Sequence, residues 1–305
     1  MSNPNLVGIP NQIGKIAIIT GANTGLGFET AIELARKKIR IIMACRNIKK
    51  AELAKDEILK QIPEAQLDIM QIDLSKLNSV RKFAQTFLSK YDSLDLLINN
   101  AGVMMPPYQQ TEDGLELQMA ANYYGHFLLT GLLIDTITKT KNSRIVSLSS
   151  IAHRNASIKF KDMQSEQKYS KFGAYGQSKL ACLIFSKELQ RRLEANHKTN
   201  TISVAAHPGA SNTELARHLP KLANILLTPF LFLVTHSPKN AAKPTILASL
   251  SKNVDGGDYY GPQGFMEMNG DPGLAKAESQ AYDVLTAKRL WEESEKLTDI
   301  AFLNY

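Results

Sequence analysis

The run Thr20-Gly21-Ala22-Asn23-Thr24-Gly25-Leu26-Gly27 places three glycines between an apolar strand-length segment and the start of a helical one. Glycines at such a junction let the chain turn sharply and let its backbone approach a pyrophosphate. The helix that follows offers free N–H groups and the positive end of its dipole. The spacing is Gly-x-x-x-Gly-x-Gly, not the commoner Gly-x-Gly-x-x-Gly. A simple tight turn is the alternative, and the position at the first strand–helix junction favours the phosphate reading. A second feature is Tyr175, four residues before Lys179. That spacing puts both side chains on one face of a helix, and an ammonium beside a phenol stabilises the phenolate, as general acid/base work requires. A third is the end of the second apolar strand, Ala44-Cys45-Arg46-Asn47, followed by Lys49 and Lys50. A carboxylate there would bind a ribose 2′-hydroxyl, whereas an arginine with lysines beside it suits a 2′-phosphate, which predicts NADP(H) over NAD(H). Taken by itself, Arg46 could equally belong to a solvated charged turn.

These groups need a scaffold that brings them to one edge. Apolar runs of strand length span Lys15 to Thr20, Ile39 to Ala44, Leu67 to Ile72, Leu94 to Asn99, Arg144 to Leu148 and Thr201 to Ala206. Helical stretches separate each pair, the first from about Gly25 to Lys38. Continuously apolar strands alternating with helices predict a parallel sheet covered on both faces. The expected architecture is a doubly wound α/β fold of the Rossmann type, with strand order 3-2-1-4-5-6 extended by one last edge strand, binding a dinucleotide at the switch point. At 305 residues, with no Pro/Gly-rich linker, repeat or low-complexity tract, one domain over 1–305 is expected. In the last third, Ser237-Pro238 opens a helix, Pro244 interrupts or kinks it, Asp255-Gly256-Gly257 marks a turn, and a C-terminal helix is expected from Lys276 to Leu297.

Three further motifs follow the strand ends: Asn99-Asn100-Ala101-Gly102, Ser147-Leu148-Ser149-Ser150 and Tyr175-Gly176-Gln177-Ser178-Lys179. With the glycine loop they resemble the short-chain dehydrogenase/reductase family over about residues 14 to 300. The segments Asn122-Tyr123-Tyr124-Gly125-His126-Phe127-Leu128-Leu129-Thr130 and His207-Pro208-Gly209, with Thr213 and the surroundings of Leu290-Trp291, are similar to its retinol dehydrogenase-like branch. The resemblance implies hydride transfer between NADP(H) and a carbonyl or alcohol carbon. Tyr175 would give the proton to the substrate oxygen or take it back, Lys179 would hold the nicotinamide ribose, and Ser150, or failing it Ser149, would hydrogen-bond that oxygen. Asn122 matches the residue that supports a water relay to the lysine. Cofactor contacts are expected from Gly21, Asn23, Thr24, Gly25, Leu26, Gly27, Arg46, Ala101 and Gly102. Asp73-Leu74 would lie at the adenine, Asn99 under the adenosine ribose, and Pro208-Gly209 with Thr213 over the nicotinamide and pyrophosphate. Many relatives form homodimers or homotetramers through helices that here begin near Glu112 and Ala174.

The rest of the sequence narrows the reading. The formal charge of +7 is scattered, with no basic stripe, so nucleic acid is not an expected partner and a phosphorylated cofactor uses the charge better. Cys45 and Cys182, both within apolar stretches, read as buried thiols in a reducing compartment. Six histidines without close pairing predict no metal site, with His126 and His207 structural. The N-terminal stretch has no signal-peptide pattern and no run is long enough to span a bilayer, so a cytoplasmic protein is expected. The apolar segment Leu222 to Val234 reads as a lid over a partly apolar substrate, with an oligomer interface or a membrane contact as alternatives. Two segments, about 155–170 and 210–235, are expected to shape the substrate pocket. A dinucleotide sensor that lost turnover, or a reductase of carbon–carbon double bonds, would share these motifs.

Overall fold

The computed structural model describes residues 9–210 and 237–304. Its centre is an eight-stranded sheet of order β3-β2-β1-β4-β5-β6-β7-β8. The strands are β1 (Ile16–Thr20), β2 (Arg40–Cys45), β3 (Leu67–Gln71), β4 (Leu96–Asn99), β5 (Ser143–Leu148), β6 (Thr201–Ala206), β7 (Tyr259–Pro262) and β8 (Pro272–Leu274). The first six match the expected segments within two residues at each end and take the expected order. All neighbours through β7 pair parallel, and β8 returns antiparallel to β7. The single extra edge strand expected is therefore two strands. Their sequences, Tyr-Tyr-Gly-Pro and Pro-Gly-Leu, hide them, because proline and glycine are poor strand formers tolerated mainly at an edge.

Helices cover both faces: α1 (Gly25–Arg36), α2 (Ile48–Gln61), α3 (Leu77–Leu88), α4 (Leu117–Met119), α5 (Gly125–Lys139), α6 (Lys171–Ala195), α7 (Pro238–Ala241), α8 (Lys243–Leu250) and α9 (Val284–Thr298). Alternation along the strands sorts the core into two layers. Ile18, Ile42, Leu97 and Ile145 join Phe83, Phe127, Leu180 and Trp291 from α3, α5, α6 and α9. Their neighbours Ala17, Ile19, Ile41, Leu96 and Val146 join Leu34, Ile58 and Leu247 from α1, α2 and α8 on the other face. No helix among the described residues is long and apolar enough to cross a membrane.

One detail of the last third differs from expectation. Ser237 caps α7 through the Asn240 N–H and the helix is interrupted at Pro244 as anticipated, the proline lying in the first turn of a separate helix, α8. The C-terminal helix begins at Val284 instead of Lys276, because the Asp283 side chain accepts from the Leu285 and Thr286 N–H groups and fixes the start there.

The α5–α6–α9 layer converges on Trp291, which is 1% exposed. Its ring lies 5.0 Å from Phe127, 4.6 Å from Phe302 and 5.7 Å from Phe185, while the Arg192 guanidinium sits 4.3 Å over it. Trp291→Ala should lower the unfolding free energy by about 3–5 kcal/mol in a urea titration. A loss below about 1 kcal/mol would mean that the ring is not packed as described.

Candidate active site

The carboxyl ends of β1, β2, β4 and β5 open into a cleft of about 440 Å³. One end is built from the glycine loop. Gly27 is required by close approach: a Cβ there would lie 2.4 Å from the Gly21 carbonyl oxygen and 2.6 Å from Asn100 Nδ2. Thr24, the residue before α1, makes no side-chain cap, so the N–H groups at the head of the helix are left for a ligand. Arg46 and Lys50 line the same end, both exposed, and Arg46 forms no ion pair with any described residue. A helix start without a side-chain cap, a glycine-rich loop and basic residues together fit a dinucleotide.

Thr20 ties this end to β4. Its hydroxyl accepts from the Asn100 and Ala101 N–H groups, each at 2.9 Å, and Asn100 Nδ2 donates to the Thr20 carbonyl at 2.7 Å. On its other side the hydroxyl meets His126 Nε2 at 2.9 Å. His126 Nδ1 faces the Asn122 carbonyl at 2.9 Å, so Nδ1 carries the proton and Nε2 accepts from Thr20. Burial drives the His126 pKa down to about 4, which keeps the ring neutral.

Tyr175 and Lys179 line the far end of the cleft from α6, 5% and 6% exposed. The ammonium lies 5.9 Å from the Tyr175 ring centroid and donates to the Leu148 carbonyl at 3.0 Å. The helix starts at Ser170, whose hydroxyl accepts from the Gly173 N–H, one turn before the tyrosine. Asn122 stands nearby in a π-helical turn, Ala120–Tyr124, a distortion that recurs at functional sites. Its side chain grips Val103 from both sides, accepting from the N–H at 2.7 Å and donating to the carbonyl at 3.0 Å, and donates to Ser178 at 2.9 Å. A Cβ on Gly102 would come within 3.0 Å of Asn122 Oδ1 and 3.5 Å of Lys179 Nζ, so the three positions form one corner.

The comparisons with known proteins agree with this geometry. The family described as short chain dehydrogenase matches residues 15–223. The chain belongs to the short-chain dehydrogenase family. Retinol dehydrogenase 13 of Homo sapiens is 41% identical over 294 residues, 94% of this chain and 85% of that protein. Retinol dehydrogenase 12 of Mus musculus is 39% identical over 94% of this chain and 87% of its own length. Among solved structures, an uncharacterised protein from Mycobacterium paratuberculosis superposes with TM-score 0.81 at 36% identity, covering 97% of this chain and 98% of that one. The Pseudomonas aeruginosa RhlG/NADP complex shares the fold, with TM-score 0.62 at 18% identity over 85% of this chain and 96% of that one. This short-chain dehydrogenase is thus an oxidoreductase by family, resembling retinol dehydrogenases.

The cleft of this short-chain dehydrogenase gathers most of the sequence-predicted residues: Gly21, Asn23, Thr24, Gly25, Leu26, Gly27, Arg46, Asp73, Leu74, Ala101, Gly102, Tyr175, Lys179 and Pro208. Of the other described ones, Asn99, Asn122, Ser150 and Gly209 do not line it. Asn99 points away, donating to Thr130 on α5 at 3.2 Å, and Asn100 lines the cleft in its place. Ser149 lines the cleft while donating to the Lys179 carbonyl at 2.8 Å. Ser150, one residue on, accepts from the Ala152 N–H at 3.2 Å, which leaves its own proton to donate. Gly209 follows Pro208 directly. Thr213, and the segment Leu222 to Val234, lie outside the described residues.

Ile72, Val103 and Met104 line the cleft without having been anticipated. Val103 and Met104 continue a motif already recognised. Ile72 lies just past β3, at the end of an apolar run with no polar atom to mark it. Of the 155–170 stretch, Tyr169 and Gln164 bind the segment after Met104. The Tyr169 hydroxyl donates to the Pro106 carbonyl at 2.7 Å, and Gln164 accepts from the Glu116 N–H at 2.8 Å. This stretch buttresses the wall from outside; none of its residues lines the cleft itself.

Among the described residues three buried histidines surround the site, and burial lowers the pKa of each of His126, His153 and His207. The folded state refuses protons that the unfolded chain accepts below pH about 6.5. Their contribution is therefore complete above that pH and is lost as pH falls toward about 4, the value for His126. Between pH 7 and pH 5 His126 alone should cost about 2 kcal/mol of stability. Urea midpoints at both pH values should show a smaller drop in His126→Gln than in wild type by that amount. Equal drops would refute the neutral buried ring.

Proposed function

We propose that this short-chain dehydrogenase moves a hydride between NADP(H) and a carbonyl or alcohol carbon of a partly apolar small molecule, with Tyr175 as general acid/base. The observation that carries the reading is a single cleft with the anion-accepting glycine loop and Arg46 at one end and the Tyr175–Lys179 pair at the other. When bound, the dinucleotide supplies or accepts the hydride at its nicotinamide ring. Arg46 and Lys50 would take the 2′-phosphate and the head of α1 the pyrophosphate. Lys179 would hold the nicotinamide ribose, and its charge would favour the phenolate of Tyr175. Ser150 would donate its remaining proton to the substrate oxygen. Tyr175 would protonate that oxygen in reduction and deprotonate it in oxidation.

Val103, Met104 and Leu148 line the same cleft and suit an apolar substituent on the substrate. The named relatives are retinol dehydrogenases, enzymes named for an alcohol, which supports the carbonyl/alcohol class.

Fluorescence titration should show NADPH binding at least about tenfold tighter than NADH, and Arg46→Ala should remove most of that difference. Equal affinities in wild type would refute the NADP preference. Absence of binding by either dinucleotide would refute the cofactor reading altogether.

Tyr175→Phe should lose about 100-fold or more in kcat on a carbonyl panel with NADPH, with the cofactor Kd unchanged. Unchanged turnover would remove Tyr175 from the chemistry. No turnover by wild type on any carbonyl or alcohol, with tight NADPH binding, would favour a dinucleotide sensor.

A further inference from the structure

Behind the Pro208 wall of the cleft lies a polar contact that no predicted site residue explains. His207 follows β6 with its ring fully buried between two partners. The Gly209 N–H donates to Nδ1 at 3.2 Å, and Nε2 lies 3.0 Å from Glu267 Oε2. A ring nitrogen that accepts an N–H carries no proton, so the neutral ring holds its proton on Nε2 and donates it to Glu267. The same carboxylate oxygen accepts from Arg154 Nη2 at 2.6 Å, and Oε1 accepts from the Lys276 N–H at 3.1 Å. Arg154 belongs to the short turn after Ser150, and Glu267 to the connection between β7 and β8. One carboxylate therefore ties together the segment after Ser150 and the segment that runs into Pro208-Gly209.

The backbone is shaped to make this contact. Met266 and Glu267, neither of them glycine, have φ of 50° and 58°. Two consecutive left-handed residues persist only where their surroundings over-determine them. Met268 immediately after accepts from the Ala210 N–H at 2.9 Å. On the opposite side a Cβ at Gly261 would lie 1.9 Å from His207 Nε2, so that position has room for the ring only as glycine. Burial holds the His207 pKa down. Burial would raise that of Glu267, but hydrogen bonds from His207 and the Lys276 N–H, with the charge of Arg154, bring it below the usual carboxylate value. The pair is a neutral imidazole on an ionised carboxylate.

We infer that Glu267 is a positioning residue for the nicotinamide end of the cleft: it fixes the His207 Nε2–H tautomer, which fixes the Gly209 N–H and with it the Pro208-Gly209 turn. The inference rests on the cofactor reading proposed above, and it adds a residue about 60 positions from the turn it controls. Glu267 touches neither cofactor nor substrate in this account, so its removal should be felt by the nicotinamide half of the dinucleotide and not by the adenosine half.

The test is to titrate NADPH and 2′,5′-ADP, which carries only the adenosine half, into wild type, Glu267→Ala and Glu267→Gln. Glu267→Ala should weaken NADPH about tenfold while leaving 2′,5′-ADP within about twofold. Glu267→Gln, which keeps an oxygen for the His207 N–H, should recover most of the NADPH affinity. If the alanine variant does not fold, His207→Leu, which removes both the Glu267 contact and the acceptor of the Gly209 N–H, should show the same split. Equal loss for both ligands, or no loss for either, overturns the inference and leaves the cofactor reading intact. Failure of wild type to bind either ligand ends both. Nitrogen-15 NMR of the wild-type imidazole gives a readout independent of cofactor: a proton on Nδ1 of His207 would overturn the inference by itself.

Discussion

The hydroxyl of Thr20 is the joint on which the cleft depends. It sits where β1 ends and the glycine loop begins, takes two N–H groups from the segment after β4, and gives its own proton to His126. His126 passes the connection to the Asn122 carbonyl, and the Asn122 side chain holds Val103 on the cleft wall. Glycine loop, β4 end and the Asn122 corner are thereby fixed to one another through six hydrogen bonds. An oxygen that accepts two N–H groups and donates once is fully used, so replacing it with a methyl would strand two buried donors at once. Precise spacing between a phosphate subsite and a reacting carbon needs such a joint, because small displacements at the reacting centre cost large factors in rate.

Much of the sheet was readable from the sequence because each of its first six strands is apolar on both faces and bounded by a helix. Ile18 and Ile19 enter opposite layers, and such runs have no other stable home than a parallel sheet covered twice. The edge was not readable. Tyr259 to Pro262 and Pro272 to Leu274 carry glycine and proline where strand formers are expected, and only pairing to the already formed β6 makes them strands. Tertiary contact overrode local propensity there, as it commonly does for edge strands. At the C-terminus a charged, alanine-rich stretch with helical periodicity extends past the true start of α9, and a single aspartate cap decided the boundary.

The site was legible where chemistry is confined to a short motif. Gly27, Arg46, Tyr175 and Lys179 identify themselves by type and spacing. Asn99 and Asn100 show the limit of that method. Adjacent and identical in type, they differ only in direction, since Asn99 is the last strand residue and points to α5 while Asn100 has left the strand and turns to the loop. Asn122 likewise could be placed at the corner, but not that its carboxamide is wholly occupied by Val103 and Ser178. Contacts between residues far apart in sequence, such as Arg154 and Glu267, leave no local pattern at all.

A common device runs behind these parts. His126 lies behind Asn122, His153 behind Ser150 and His207 behind Pro208, each buried and each held in one tautomer by an acceptor on one nitrogen. His126 and His153 turn Nδ1 to a backbone carbonyl, at 2.9 and 2.7 Å, while His207 turns Nε2 to a carboxylate. An imidazole suits this duty better than an amide of similar size. It has a polar atom on each of two edges and apolar faces that pack, and the rings of His153 and His207 both lie against Tyr259, at 5.6 and 5.1 Å. Rigid rings with two-ended hydrogen bonding can brace a site from within the core without leaving an unsatisfied polar atom there. These three histidines are therefore read best as scaffold for the cleft wall. The same neutrality that makes the braces work leaves the folded state exposed to acid, because every one of them must give up its hydrogen-bond geometry to accept a second proton.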